Sequence, residues 1–177
     1  MKSKVTVLVA ALSLAGSWSA AQATDTARED AMLTNAKVSL TQAVGIAEQQ
    51  GSGHAVTADY TPKSGGMGHY SIKVLSSDGK KLTEYQVSPS TGKVTEASNE
   101  AFEKMFTRLK PETLENAATS LKGAIKAAEA QSGGKAVDAD ADRDGNEVRY
   151  TVKVAMADGS TQKVKVNGAD GKVAMAK

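Results

Sequence analysis

Leu40, Ala43, Val44 and Ala47 recur with the spacing of one helix face, and Leu114, Ala118, Leu121, Ile125 and Ala128 do so again farther along. Ser39 followed by Gln42 has the form of a capping box. Lys110-Pro111 predicts the start of the second helix, since proline is tolerated in a first turn. The stretches "GSG" and "SGG" predict where the helices stop. Beyond each helix the period changes to two. Val148, Tyr150, Val152, Val154 and Met156 share one face of a strand, with Arg149, Thr151 and Lys153 on the other. Val164 and Val166 alternate with Lys163 and Lys165 in the same way. The pattern predicts helix, strand, strand, strand and a short "GKV" tail, with the helix covering the apolar face of an antiparallel meander.

This unit occurs twice. At an offset of 81, "LTQAVGIAEQQGSGHAVTAD" (Leu40 to Asp59) lies over "LKGAIKAAEAQSGGKAVDAD" (Leu121 to Asp140). "YSIKVLSSDG" then matches "YTVKVAMADG" at an offset of 80, and "VSPSTGKV" matches "VNGADGKV" at 79. Single-residue gaps at turns are what loops tolerate, so the chain holds two copies of one unit. The expected fold is α+β: two tandem copies of a helix on a three-stranded antiparallel meander, joined by a short amphipathic helix. That joining helix is read at 98–110, where Phe102, Met105, Phe106 and Leu109 follow helical spacing behind a Ser98 or Asn99 cap.

The second copy carries an acidic stripe in "AVDADADRDGNEVRY", with Asp138, Asp140, Asp142 and Asp144 at every second position before Gly145. Asp-x-Asp-x-Asp-Gly opens many calcium loops, but the position that should close such a loop with a bidentate Glu is Thr151, and a strand follows instead of a helix. The alternation predicts a hairpin. Val137, Ala139 and Ala141 turn inward and the aspartates turn to solvent. A Gly145-Asn146 turn of type II′ would pair Asp144 with Glu147, Asp142 with Arg149, Asp140 with Thr151 and Asp138 with Lys153. It would also set Ala141 opposite Tyr150 and Val137 opposite Val154.

Residues 1–23 read as a secretory signal: Lys2 and Lys4, then the apolar "VTVLVAALSLAG", then a small-x-small site at Ala21-Gln22-Ala23. Cleavage before Thr24 would remove two of the 22 Lys and Arg, leaving 20 against 20 Asp and Glu. The mature chain is then formally neutral, and no basic patch with interleaved aromatics points to nucleic acid. No other stretch is apolar enough to span a membrane. The absence of cysteine excludes disulfides, a thiol nucleophile and thiolate metal sites. The expected compartment is the periplasm, with secretion to the medium as the alternative. The expected layout is signal 1–23, N-terminal segment 24–36, first domain 37–97, linker helix 98–110 and second domain 111–177.

The two histidines, His54 and His69, lie in no H-E-x-x-H, and there is neither G-x-S-x-G nor a P-loop. No catalytic residue, metal ligand or cofactor is assigned. The order helix, "A-V-x-A-D", "Y-x-[IV]-K-V", "D-G", then "Y-Q-V-S-P-S-T-G-K-V" resembles the PepSY domain. Copy one has the better ending, Ser90-Thr91-Gly92-Lys93-Val94, and copy two departs to Ala169-Asp170-Gly171-Lys172-Val173. The resemblance implies an exported or membrane-associated protein and a non-catalytic role. The family includes propeptides of secreted metallopeptidases, so it implies a protein partner, an exported peptidase met in trans. Expected contact residues are the Phe102 and Phe106 face, Gly65, Gly66 and His69 at one hairpin, and Asp144 and Asn146 at the other. The alternative is a small-ligand or cation (calcium) binding protein that uses the acidic hairpin.

Overall fold

A computed structural model describes residues 36–63, 66–100 and 109–175. Copy one runs α1 (Leu40–Gly51), β1 (Gly53–Lys63), β2 (Gly66–Ser76), β3 (Leu82–Val87) and β4 (Val94–Glu100). Copy two runs α2 (Pro111–Glu115), α3 (Leu121–Ser132), β5 (Lys135–Asp144), β6 (Glu147–Ala155), β7 (Thr161–Asn167) and β8 (Val173–Met175). All eight strands join one antiparallel sheet in the order β4-β3-β2-β1-β5-β6-β7-β8. Helices α1 and α3 lie over its apolar face, and no helix among the described residues is long and apolar enough to cross a membrane.

Local chemistry accounts for the helix ends. Ser39 Oγ accepts from the Gln42 N–H at 3.2 Å while the Gln42 side chain accepts from the Ser39 N–H at 2.8 Å, a complete capping box. Ser120 caps α3 by accepting from the Gly123 N–H at 3.3 Å. Gly133 ends α3 at φ 78°, whereas α1 ends on Ser52 at φ 48°. Immediately afterwards the first strand passes so close to its neighbour that a side chain is excluded. A Cβ at Gly53 would lie 2.0 Å from the Leu75 carbonyl oxygen, and at its counterpart Gly134 2.3 Å from that of Ala155.

The duplication extends to individual hydrogen bonds. Tyr70 OH donates to the Val38 carbonyl at 2.8 Å, and Tyr150 OH to the Thr119 carbonyl at 2.7 Å. Glu48 accepts from the Ala55 N–H at 3.1 Å, and Glu129 from the Ala136 N–H at 3.0 Å. The N–H groups of Val38 and Thr119 each donate at 2.9 Å, to the carbonyls of Pro89 and Gly168. These bonds tie the chain just before each helix to the second strand and the last turn, so helix and sheet are positioned from both ends. Burial pushes both tyrosine hydroxyls up to about 12, and they serve as donors fixing the backbone.

Four expectations are corrected. Each copy has four strands: the "GKV" tails open β4 and β8, because Gly92 at φ 72° and Gly171 at φ 69° turn the chain back on the preceding strand. Residues Ser98, Asn99 and Glu100 therefore continue β4, opposite Glu84, Thr83 and Leu82, instead of capping a linker helix. Phe102, Met105 and Phe106 lie outside the described residues. The second helix does not run from Pro111: Thr119 is pinned to β6 and to the last turn, which breaks the helical path into α2 and α3. Finally, Val137 is not opposite Val154. Ala136 takes that place because the ladder bulges between Ala136 and Asp138, as it does between Ala55 and Thr57 in copy one. The rest of the expected hairpin register, from Asp144↔Glu147 to Asp138↔Lys153, is observed. Gly145 has φ 63° and Asn146 has no positive φ, the pattern of a type II′ turn.

A continuous core under one sheet predicts one cooperative unfolding transition. Tyr70→Phe and Tyr150→Phe should each lose about 1 kcal/mol, the net worth of a hydrogen bond of this kind. Urea denaturation followed by circular dichroism should show both losses within a single transition; two separable transitions would show that the copies unfold independently.

Candidate functional site

The two copies meet where β1 pairs with β5 through Thr57↔Asp140, Ala58↔Ala139 and Asp59↔Asp138. Ala58 and Ala139 are equivalent in the repeat, so an approximate two-fold axis passes between them. Both are fully buried on the helix side. Strand alternation then sends Thr57, Asp59, Asp138 and Asp140 to the opposite, uncovered face. Two cross-strand rows result. One reads Glu84, Lys73, Thr57, Asp140, Thr151, Lys165, and the other Gln86, Ser71, Asp59, Asp138, Lys153, Lys163. A carboxylate cluster thus occupies the centre of the open face, between lysines on β2 and β6.

Like charges directly opposite across an antiparallel pair oppose ionisation. Burial, then the charge of Asp138, raises the Asp59 carboxyl to about 6, although Lys73 pulls the other way. Burial, then Asp138 and Asp59, raises Asp140 to about 7. Lys73 is itself engaged by Glu84 at 4.0 Å, and Ser71 Oγ also donates to Glu84. Asp138 and Asp140 are therefore not the fully solvated positions expected of an isolated hairpin. The neighbouring strand β1 covers part of each, leaving both half-buried. No group of three or more His, Cys, Asp or Glu among the described residues is arranged to hold a metal ion.

The expected contact residues fall at separate places. Gly66 and His69 lie on β2 near the β1–β2 tip, where Lys63↔Gly66 and Thr61↔His69 pair. Gly65 lies outside the described residues, as do Phe102 and Phe106. At the other tip Arg149 reaches Asp144, while Arg143 donates to the Gly145 carbonyl at 2.6 Å and to Asn146 Oδ1 at 3.4 Å. Because β1 and β5 are antiparallel, the two tips project from opposite ends of the sheet. About ten residues of strand separate them, roughly 33 Å at about 3.3 Å each. They cannot form one contact patch. His54 is on β1, and its Nε2 lies 3.8 Å from Glu115 Oε1. The seam carboxylates of copy one and copy two were not foreseeable as a group from either hairpin alone; the Ala-Asp identity shared by Ala58-Asp59 and Ala139-Asp140 is the trace they leave in the repeat.

Residues 37–97, from the chain before α1 into β4, match the family described as "Peptidase propeptide and YPEB domain". This segment is a PepSY domain. Copy two lies outside the matched range but repeats the PepSY element order and hydrogen bonds described above. Among solved structures, the chain is similar to a "putative lipoprotein" of Clostridium difficile 630, with a TM-score of 0.50 and 17% identity. The likeness covers 84% of this chain and 99% of that one, more than either copy alone could span, and it is a likeness of fold. No curated protein matches the sequence.

The seam gives the PepSY domain and its repeat a definite pH dependence. Carboxyls whose folded values are raised contribute stability that is complete below their unfolded value, near 3.8, and is lost as pH rises through about 6 for Asp59 and about 7 for Asp140. The urea midpoint should therefore be higher near pH 5 than near pH 8. Asp140→Asn should flatten that slope and raise the midpoint at the alkaline end. A slope unchanged by Asp140→Asn and by Asp59→Asn would assign it to other groups.

Proposed function

We propose that this chain is an exported, non-catalytic protein-binding module of the periplasm that modulates a peptidase in trans. The match of residues 37–97 to a family described by its peptidase propeptides carries this reading. The architecture adds the means. β4 and β8 are the two ends of the sheet, each paired on one side only among the described residues. β4, with seven residues, offers the longer edge, against three in β8. An extended segment of a partner can add to such an edge through main-chain hydrogen bonds, with alternate side chains supplying selectivity. The hairpin tips, at opposite ends, can contact different parts of a large partner or different partners.

The reading is tested by titrating the protein into exported peptidases of the producing cell, with hydrolysis of a fluorogenic peptide as readout. The expected result is a stoichiometric change in the rate for one peptidase, weakened at least tenfold by Ser98→Pro on the β4 edge while the melting temperature holds. His69→Ala and Asp144→Ala then report which tip takes part. Unaltered hydrolysis, with no complex by size-exclusion chromatography, would rule the peptidase reading out.

A further inference from the structure

The segment before α3 has a structural role that has no counterpart among the described residues of copy one. In copy two, Leu109 and Leu114 are buried, and α2 crosses the seam onto copy one. Pro111 packs on the β2–β3 turn so closely that a Cβ on Gly79 would lie 2.8 Å from its Cγ. Glu115 sits 3.8 Å from His54 at the start of β1. The two-fold relation implies a matching place on the other side, formed by β2 of copy one and the start of β5 of copy two. A groove of about 270 Å³ is found there, lined by Ser39, Leu40, Tyr70, Glu129, Lys135 and Ala136. Lys135 is the repeat counterpart of His54. Gly159, the counterpart of Gly79, faces open space: a Cβ there meets nothing within 4 Å.

The sequence supplies an occupant. At the same offset of 81, Leu33, Asn35 and Ala36 are identical to Leu114, Asn116 and Ala117, extending the repeat upstream of the helix. Ala36 itself lines the groove, so the chain before it starts at the groove wall. The sequence places two acidic residues, Glu29 and Asp30, a few positions upstream, and Lys135 among the lining residues is exposed.

We propose that residues 29–35, which precede the described part of the chain, dock in this groove and seat Leu33 where copy two seats Leu114. The groove is then an intramolecular peptide site, and any partner peptide using it must displace the chain's own segment. This holds whichever partner the sheet edges bind.

The chain's one tryptophan, Trp18, precedes Thr24, so protein beginning at Thr24 is free of tryptophan and Leu33→Trp is a clean reporter. Docking predicts blue-shifted emission, several-fold slower acrylamide quenching than free tryptophan, and no dependence on protein concentration. Because tryptophan is larger than the leucine it replaces, Leu33→Asp provides a second reading. Docking predicts that it lowers the melting temperature by several degrees, comparably to Leu114→Asp. Either positive result supports the proposal. Solvent-like emission together with an unchanged melt overturns it. So does a blue shift that grows with concentration, which would place a second molecule in the groove.

Discussion

Three residue pairs between β1 and β5 decide what kind of molecule this is. Without them the chain would be two small α+β layers, each near the size at which a single hydrophobic core is marginal. With them, two four-stranded meanders become one sheet, and α1 and α3 come side by side above it, with Lys122 of α3 3.8 Å from Glu48 of α1. The small side chains of Ala58 and Ala139 mark the axis of that join. A slip of one residue would turn these alanines outward and the carboxylates inward, so burial on one face enforces the register that crowds like charges on the other. The raised carboxyls of Asp59 and Asp140 are thus the electrostatic cost of the same contact that unites the core.

Much of this was legible along the chain, and the exceptions share a cause. The β5–β6 register could be read residue by residue, since Gly145-Asn146 fixes the turn and alternation fixes the faces. The pairing of β1 with β5 could not: no turn connects them, and nothing in "AVTAD" or "AVDAD" says that each is the other's neighbour. The half-burial of Asp138 and Asp140 was hidden for the same reason. The fourth strands were missed because their visible signal was only "GKV", too short for a period to show. The break between α2 and α3 was within reach. Ser120 stands where Ser39 caps α1, but the helical spacing of Leu114 and Ala118 masked it. Gly66 and His69 lie on one expected hairpin and Asp144 and Asn146 on the other, while their separation to opposite ends follows only from the β1–β5 direction.

The two copies have also diverged in how their surroundings treat them. Copy one carries the PepSY match, a long β4 edge and the β1–β2 tip with His69. Copy two carries the acidic hairpin, a three-residue last strand, and α2 fastened across the seam by Pro111 and Glu115. The shared parts are those that hold the helix to the sheet: the capping serine, the buried tyrosine and the glutamate that meets the first strand. These contacts build the fold in both copies, whereas the sheet edges and hairpin tips differ between them.

The near-symmetry of the seam has a further consequence. Contacts related by a two-fold axis are those by which two separate, identical copies would associate, and here they belong to one chain. Joining the partners covalently replaces a bimolecular encounter with a high effective concentration, set by the length of the connection between β4 and α2. A ladder of three residue pairs, with carboxylates facing one another, would by itself be weak between free molecules. Within one chain it needs only to outcompete its own opening, and so it can retain charges that a freestanding dimer interface would have had to remove.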